Sequence, residues 1–351
     1  MRAVAWLFDG YVPTQHWYRT LKCFTLAIAV CCAACTGLPT SAGRRQFADT
    51  LAAQKQWHGS LLYVEKFQLM AYMPNALAPT ASLTIYIEGD GLAWITGARV
   101  SRDPTPSDPV ALRLALAQPE GAAAYLGRPC QYVDAVASNC SSRYWTQARF
   151  SSDVVEATDM AIESLKKRFG ARHLTLVGYS GGGAVAALVA GKRRDVDRLI
   201  TVAGNLNPVA WVGLHHLAPL TGSLNPADNV NRLRGVAQRH LVGGRDENIT
   251  PELVRSFAAL FPESERPIVT VVPGFDHRCC WVEQWPSLWR SMNGFGPGRA
   301  PGGPHTRDAA RCALARGSTV QRQHQRPQFH KASPATAPFR CRTGPHRRST
   351  P

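Results

Sequence analysis

The sequence predicts an α/β protein, a mainly parallel sheet covered by helices on both faces. Three observations predict it. Short runs rich in Val, Ile and Leu alternate with amphipathic or small-residue helical stretches from residue 82 to residue 291. One such run, Leu174 to Val177, breaks at Gly178-Tyr-Ser-Gly-Gly182 and passes directly into a helix of small residues. Two later runs end in polar loops that carry Asp246 and His277. In sheets of this kind ligands gather at the carboxyl ends of the strands, where such loops lie.

Past residues 57–74 the chain reads as a strand at 82–87, a helix near 109–116 and a short strand near 122–127. The helix at 152–169 carries Val155, Thr158, Ile162, Leu165 and Phe169 at alternating spacings of three and four, one face of a 3.6-residue period. Lys166, Lys167, Arg168 and then Gly170 mark its end, since cations favour the negative end of the helix dipole and glycine tolerates the left-handed cap. A strand at 173–177, a helix at 181–190, strands at 198–203 and 239–243, a helix at 251–260, a strand at 268–272 and a helix at 281–291 complete the alternation.

The chemistry concentrates at the break after Val177. Gly178-Tyr-Ser-Gly-Gly182 is a G-x-S-x-G motif set between a strand and a helix, the context that gives the motif its meaning. A turn that sharp strains its central residue and needs neighbours almost without side chains. It exposes Ser180 at the end of the sheet, beside a helix N-terminus that favours negative charge. A phosphate cradle is the competing reading of the glycines, but neither G-x-x-x-x-G-K-[ST] nor G-x-G-x-x-G occurs.

A nucleophilic serine needs a base and an acid that orients the base. Gln238 to Ile249 reads as a strand ending in a loop with Asp246, and Pro267 to His277 as a β-branched strand ending in a loop with His277. Serine, acid and histidine follow in that order, each just past a strand, and with these motifs the chain resembles the α/β-hydrolase superfamily over about residues 60–292. The resemblance implies Ser180 as nucleophile, His277 as general base and acid, and Asp246 as the carboxylate that fixes the imidazole tautomer. It also implies an oxyanion hole of backbone N–H groups, one from Gly181 and one from the loop after strand 82–87. That loop reads Glu88-Gly-Asp-Gly91 where relatives often carry His-Gly, so the second donor falls at Asp90, with Gly91 as the alternative.

Other residues compete for these roles. Asp228, Glu247 and Asp276 are rival acids, and His173, His215, His216 and His240 are rival bases. The connection at 204–230 is long and apolar, with Trp211, Val212, Leu214, Leu217 and Leu220 among prolines, and reads either as a loop packed on the core or as a small cap lining an acyl pocket. Hydrolysis of an ester, thioester or amide is the implied activity. Acyl transfer on the same triad and a binding protein that has lost catalysis are the alternatives. No cofactor or metal is called for, because no second pair at C-x-x-C spacing accompanies the cysteines.

The expected domains are an export segment at 1–35, the α/β domain at 36–293 with its insertion near 204–230, and a tail at 294–351. Residues 23–34 form a 12-residue apolar run after Arg19 and Lys22, the length of a signal-peptide core rather than a membrane span. Ala33-Ala-Cys35 resembles a bacterial lipoprotein signal, which would lipidate Cys35 and tether the protein in the cell envelope; cleavage near Ala34 or Ala42 without a lipid is the other outcome. Export agrees with a disulfide between Cys130 and Cys140. Cys279 and Cys280 are neighbours, and adjacent cysteines do not readily bond to each other, so their partners are left open. In the tail eleven Lys or Arg stand against one Asp, which supplies +10 of the formal +16. It lacks apolar periodicity and aromatic interleaving, so disorder and no nucleic-acid partner are expected, with attraction to anionic lipid as the functional alternative to a tail without a role.

Overall fold

The computed structural model describes residues 39–134 and 140–293. The readings made for the export segment, Cys35 included, and for the tail from 294 onward lie outside the described residues.

The strands are β1 (Trp57–Val64), β2 (Phe67–Pro74), β3 (Ser82–Ile87), β4 (Trp94–Thr96), β5 (Arg99–Val100), β6 (Ala122–Leu126), β7 (His173–Tyr179), β8 (Val196–Val202), β9 (Ala237–Gly243) and β10 (Ile268–Val272). Eight of them form one sheet in the order β1-β2-β6-β3-β7-β8-β9-β10, while β4 and β5 make a separate small hairpin. β1 and β2 pair antiparallel, β2 meets β6 antiparallel, and every pairing from β6 to β10 is parallel. The parallel strands require crossover helices, which explains the alternation in sequence.

The helices are α1 (Ser41–Gln54), α2 (Val110–Leu116), α3 (Ser152–Phe169), α4 (Gly181–Ala190), α5 (Pro208–Leu214), α6 (Val230–Leu233), α7 (Pro251–Ala258) and α8 (Trp281–Asn293). Alternate residues of β3 divide the two faces, as a period of two requires. Leu83, Ile85 and Ile87 join a core cluster with Val155 and Ile162 of α3 and Val185 and Val189 of α4. Tyr86 points the other way, accepting a hydrogen bond at 2.9 Å from the indole of Trp285 on α8. Trp281 and Trp285 are wholly buried there, so truncating either would cost about 3–5 kcal/mol.

The chain departs from expectation in three places. Helix α1, capped by Thr40, whose hydroxyl accepts from Gly43 N at 3.1 Å, has no counterpart in the sequence reading. Its buried positions are only Arg44, Ala48 and Ala52, too small a face to stand out as a periodic apolar stripe. The helix expected at 251–260 ends at Ala258. The insertion at 204–230 contains a helix of its own, α5, started by Asn207, whose side chain accepts from Ala210 N at 3.1 Å, with Pro208 at the first helical position.

Candidate active site

Ser180 sits between β7 and α4 with φ 51 and ψ −123, a conformation that costs of order 1–3 kcal/mol for a non-glycine residue. Three backbone hydrogen bonds hold it there: Ser180 N donates to Val202 O at 3.0 Å, and Ser180 O accepts from Gly183 N and Asn205 N, each at 2.9 Å. The flanking glycines are needed for space. A Cβ at Gly178 would lie 2.4 Å from Gly182 O, and one at Gly182 would lie 2.3 Å from Ile87 O.

The loops after β9 and β10 bring the predicted acid and base to this serine. His277 Nε2 lies 3.0 Å from Ser180 Oγ, and His277 Nδ1 lies 2.9 Å from Asp246 Oδ2. The other oxygen of Asp246 accepts the backbone N–H groups of Asn248 at 2.9 Å and Ile249 at 2.8 Å, so this buried carboxylate is fully satisfied and cannot turn away from the imidazole. The Tyr179 hydroxyl donates to His277 O at 3.1 Å, and its ring lies 5.5 Å from the imidazole.

The rival residues lie elsewhere. Asp276 Oδ1 accepts from the N–H groups of Arg278 and Cys279, and Asp228 accepts from Asn225. Glu247 is exposed. His173 pairs with Asp197 at the surface. His240 is buried against Phe257 with Nδ1 on Thr201 Oγ1, and burial pushes its pKa down to about 3, as a neutral core histidine requires. His216 lies in a turn of the insertion with φ 52, and His215 contacts Asn248.

Gly181 opens α4 and Asp90 follows β3, and the two loops touch. A Cβ at Gly89 would come within 3.3 Å of Ser180 Cβ. Gly89 O accepts from the buried Gln131 side chain at 2.9 Å, and because a trans peptide sets its C=O and N–H on opposite sides, the N–H of Asp90 faces away from Gln131. Among the described residues neither Asp90 N nor Gly181 N donates to a protein acceptor. Gln131 is itself flanked by two non-glycine residues at positive φ, Cys130 at 72 and Tyr132 at 64.

Sequence reasoning missed the charges behind this loop. Asp90 Oδ1 accepts from Arg128 at 3.3 Å and Asp90 Oδ2 from Arg149 at 2.7 Å, with both guanidinium groups buried. Burial alone would raise the Asp90 pKa, but the two arginines outweigh it and hold the carboxyl below the ordinary aspartate range. The three groups together carry a net positive charge next to the start of α4. Glu88 turns inward: Oε1 accepts from Gly89 N at 2.9 Å and Ala111 N at 3.4 Å. Burial pushes its pKa up to about 7, against the opposing pull of those two N–H groups.

Cys130 and Cys140 form a disulfide with Cα atoms 5.8 Å apart, which ties down the segment that presents Gln131. Cys279 and Cys280, whose partners the sequence reading left open, are bonded to each other, the pairing it held to be difficult. The physical reason is the tight turn after His277, where Asp276 gathers two N–H groups and Cys280 takes φ 110. Among the described residues no group of three or more His, Cys, Asp or Glu is placed to hold a metal ion.

The fold is the α/β-hydrolase fold: an eight-stranded sheet with only β1–β2 and β2–β6 antiparallel, and a serine elbow after the central strand β7. No family model matches the sequence, and no curated protein matches it. Solved structures similar to it include Est1E from Butyrivibrio proteoclasticus, at 16% identity, with 67% of this chain and 97% of that one covered and a TM-score of 0.45. The esterase domain of a Rhodothermus marinus protein is similar at 14% identity, 68% and 97% coverage and a TM-score of 0.46. A membrane phospholipase A described as a bacterial virulence factor is similar at 16% identity, 79% and 98% coverage and a TM-score of 0.42.

Proposed function

We propose that the protein is a serine hydrolase that cleaves an ester, thioester or amide through an acyl-enzyme, with esters favoured over peptides. The observation that carries the reading is the unbroken relay from Ser180 Oγ to His277 Nε2 at 3.0 Å and from His277 Nδ1 to Asp246 Oδ2 at 2.9 Å. Ser180 Oγ attacks the acyl carbon while its proton passes to His277 Nε2, and Asp246 stabilises the imidazolium that forms. The N–H groups of Gly181 and Asp90 receive the oxyanion, and the positive start of α4 with the Arg128–Asp90–Arg149 cluster favours negative charge there. Collapse of the tetrahedral intermediate expels the leaving group, which takes the proton from His277. Water then attacks the acyl-enzyme as His277 Nε2 takes its proton, and collapse of the second tetrahedral intermediate releases the acid while His277 passes that proton to Ser180 Oγ.

Export is proposed with it. The apolar run at 23–34 and the Cys130–Cys140 disulfide both fit an oxidising compartment, the periplasm or the envelope surface, with Cys35 as the lipid anchor.

A panel of p-nitrophenyl esters of increasing chain length tests the activity. Ser180→Ala and His277→Ala should each lower turnover by several orders of magnitude, with little further loss in the double variant, as residues acting as one unit behave. Near-parental turnover in Ser180→Ala would remove the proposed mechanism. Product analysis with added alcohol separates hydrolysis from acyl transfer.

A further inference from the structure

We infer that Asn248 is a positioning residue that links the cap helix α5 to the proton on His277. The inference rests on the triad reading and concerns a residue outside it. Asn248 has four polar contacts, each to a different part of the site. Its Oδ1 accepts from the Trp211 indole of α5 at 3.1 Å, and its backbone O contacts His215 Nε2 at 2.8 Å. Its backbone N–H donates to Asp246 Oδ1 at 2.9 Å, and its Nδ2 lies 3.2 Å from His277 Nε2.

The chemistry of the partners orients the amide. An indole N–H donates and never accepts, so it demands Oδ1, and the NH₂ is left facing the imidazole. An NH₂ group offers no acceptor, so His277 Nε2 must present its lone pair, which puts the ring proton on Nδ1 toward Asp246. Asn248 therefore holds the tautomer that can take a proton from Ser180, and shares that lone pair with the Ser180 hydroxyl. Once Nε2 is protonated, its N–H donates to Ser180 Oγ at 3.0 Å, and the NH₂ of Asn248, 3.2 Å away, is left facing a donor instead of a lone pair. The amide relieves this by turning over to offer Oδ1, which breaks the bond to Trp211. The backbone of Asn248, pinned by His215 and Asp246, stays in place. The grip of α5 on the amide and the proton on His277 are thus linked, and the linkage runs both ways.

The test follows two resonances in ¹⁵N-labelled protein from pH 8 to pH 4: the Trp211 indole N–H and the His277 ring nitrogens, assigned with Trp211→Phe and His277→Gln. The groups facing His277 are the Asp246 carboxylate, the Ser180 hydroxyl and the Tyr179 ring, with Arg278 next in the chain. His215 places a second imidazole 5.6 Å from the Trp211 ring, so the series is repeated in His215→Gln, whose amide can still donate to Asn248 O. The expected result is one shared midpoint for both resonances, kept in His215→Gln, and loss of the Trp211 response in Asn248→Ala. A Trp211 signal that stays still while His277 titrates overturns the inference, as does one that follows His277 after Asn248→Ala. The parent titration decides the matter alone if Asn248→Ala does not fold. Failure of Ser180 to react with an acylating probe would sink the catalytic reading and leave this titration unaffected.

Discussion

The carboxylate of Asp90 rests directly against the backbone of Gly181: a Cβ at Gly181 would lie 2.1 Å from Asp90 Oδ1. The carboxylate has no room to retreat, since Arg128 and Arg149 hold both of its oxygens. One contact thus joins the loop after β3 to the first turn of α4, the two segments proposed to supply the oxyanion donors.

Gly181→Ala should therefore displace one donor from the other while leaving the helix able to form. The expected loss in kcat is about 100-fold or more, the usual cost of one oxyanion donor. Gly213→Ala in α5 is the control, because nothing lies within 4 Å of the added Cβ. Circular dichroism shows whether both variants fold, and ester hydrolysis reads the difference. Equal activity in the two would separate Asp90 and Gly181 from catalysis.

Asp246→Asn should keep the shape of the site but favour the wrong imidazole tautomer, at a cost of roughly 10,000-fold in kcat. Asp228→Asn and Asp276→Asn should stay within about tenfold of the parent, because Asp228 accepts from Asn225, Asp276 accepts the N–H groups of Arg278 and Cys279, and the Nδ1 of His277 meets Asp246. A collapse in either one with Asp246→Asn spared would move the acid.

Glu88 sets a pH dependence of stability. Its pKa rises on folding from 4.5 to about 7, so the native state keeps a proton that the unfolded chain releases between those values. The stabilisation is complete below pH 4.5 and is lost as the pH rises to about 7, for a total of roughly 2–4 kcal/mol. Glu88→Gln cannot ionise and should flatten that part of the curve, gaining stability relative to the parent at pH 8. Urea denaturation at a series of pH values checks it, and parallel curves for the two proteins would contradict the assignment.

Replacing Cys130 and Cys140 by serine opens a loop of sequence separation 10 and should lower stability by about 2–3 kcal/mol, through the added freedom of the unfolded chain. The variant should also lose activity beyond what its folded fraction explains, since Gln131 next to Cys130 fixes the peptide that carries Asp90 N–H. Chemical denaturation and kcat, measured on the same preparation, separate the two effects. An unchanged midpoint would show that the bond does not constrain the unfolded chain.

What the sequence makes legible follows local rules. The parallel sheet, the elbow at Ser180 and the strand-ending positions of Asp246 and His277 can be read because a β-branched run followed by a polar loop is written in consecutive residues. Arg128, Arg149, Gln131 and Asn248 leave no such trace. They act across 38, 59, 42 and 37 residues on partners that only the tertiary fold brings near. The Cys279–Cys280 bond was hidden for a related reason: the rule against adjacent pairs concerns ordinary backbone, and Cys280 at φ 110 is not ordinary. Helix α1 escaped because its buried face is two alanines and an arginine.

The central claim is that Ser180 is an activated nucleophile, and a fluorophosphonate probe tests it most directly. Such a probe reacts with a serine whose hydroxyl is deprotonated by a neighbouring base and stays bonded to it. The account predicts one adduct per chain, located by peptide mass spectrometry on the segment containing Ser180, absent in Ser180→Ala and strongly slowed in His277→Ala. A folded protein that takes up no label, or takes it up on a residue other than Ser180, would contradict it.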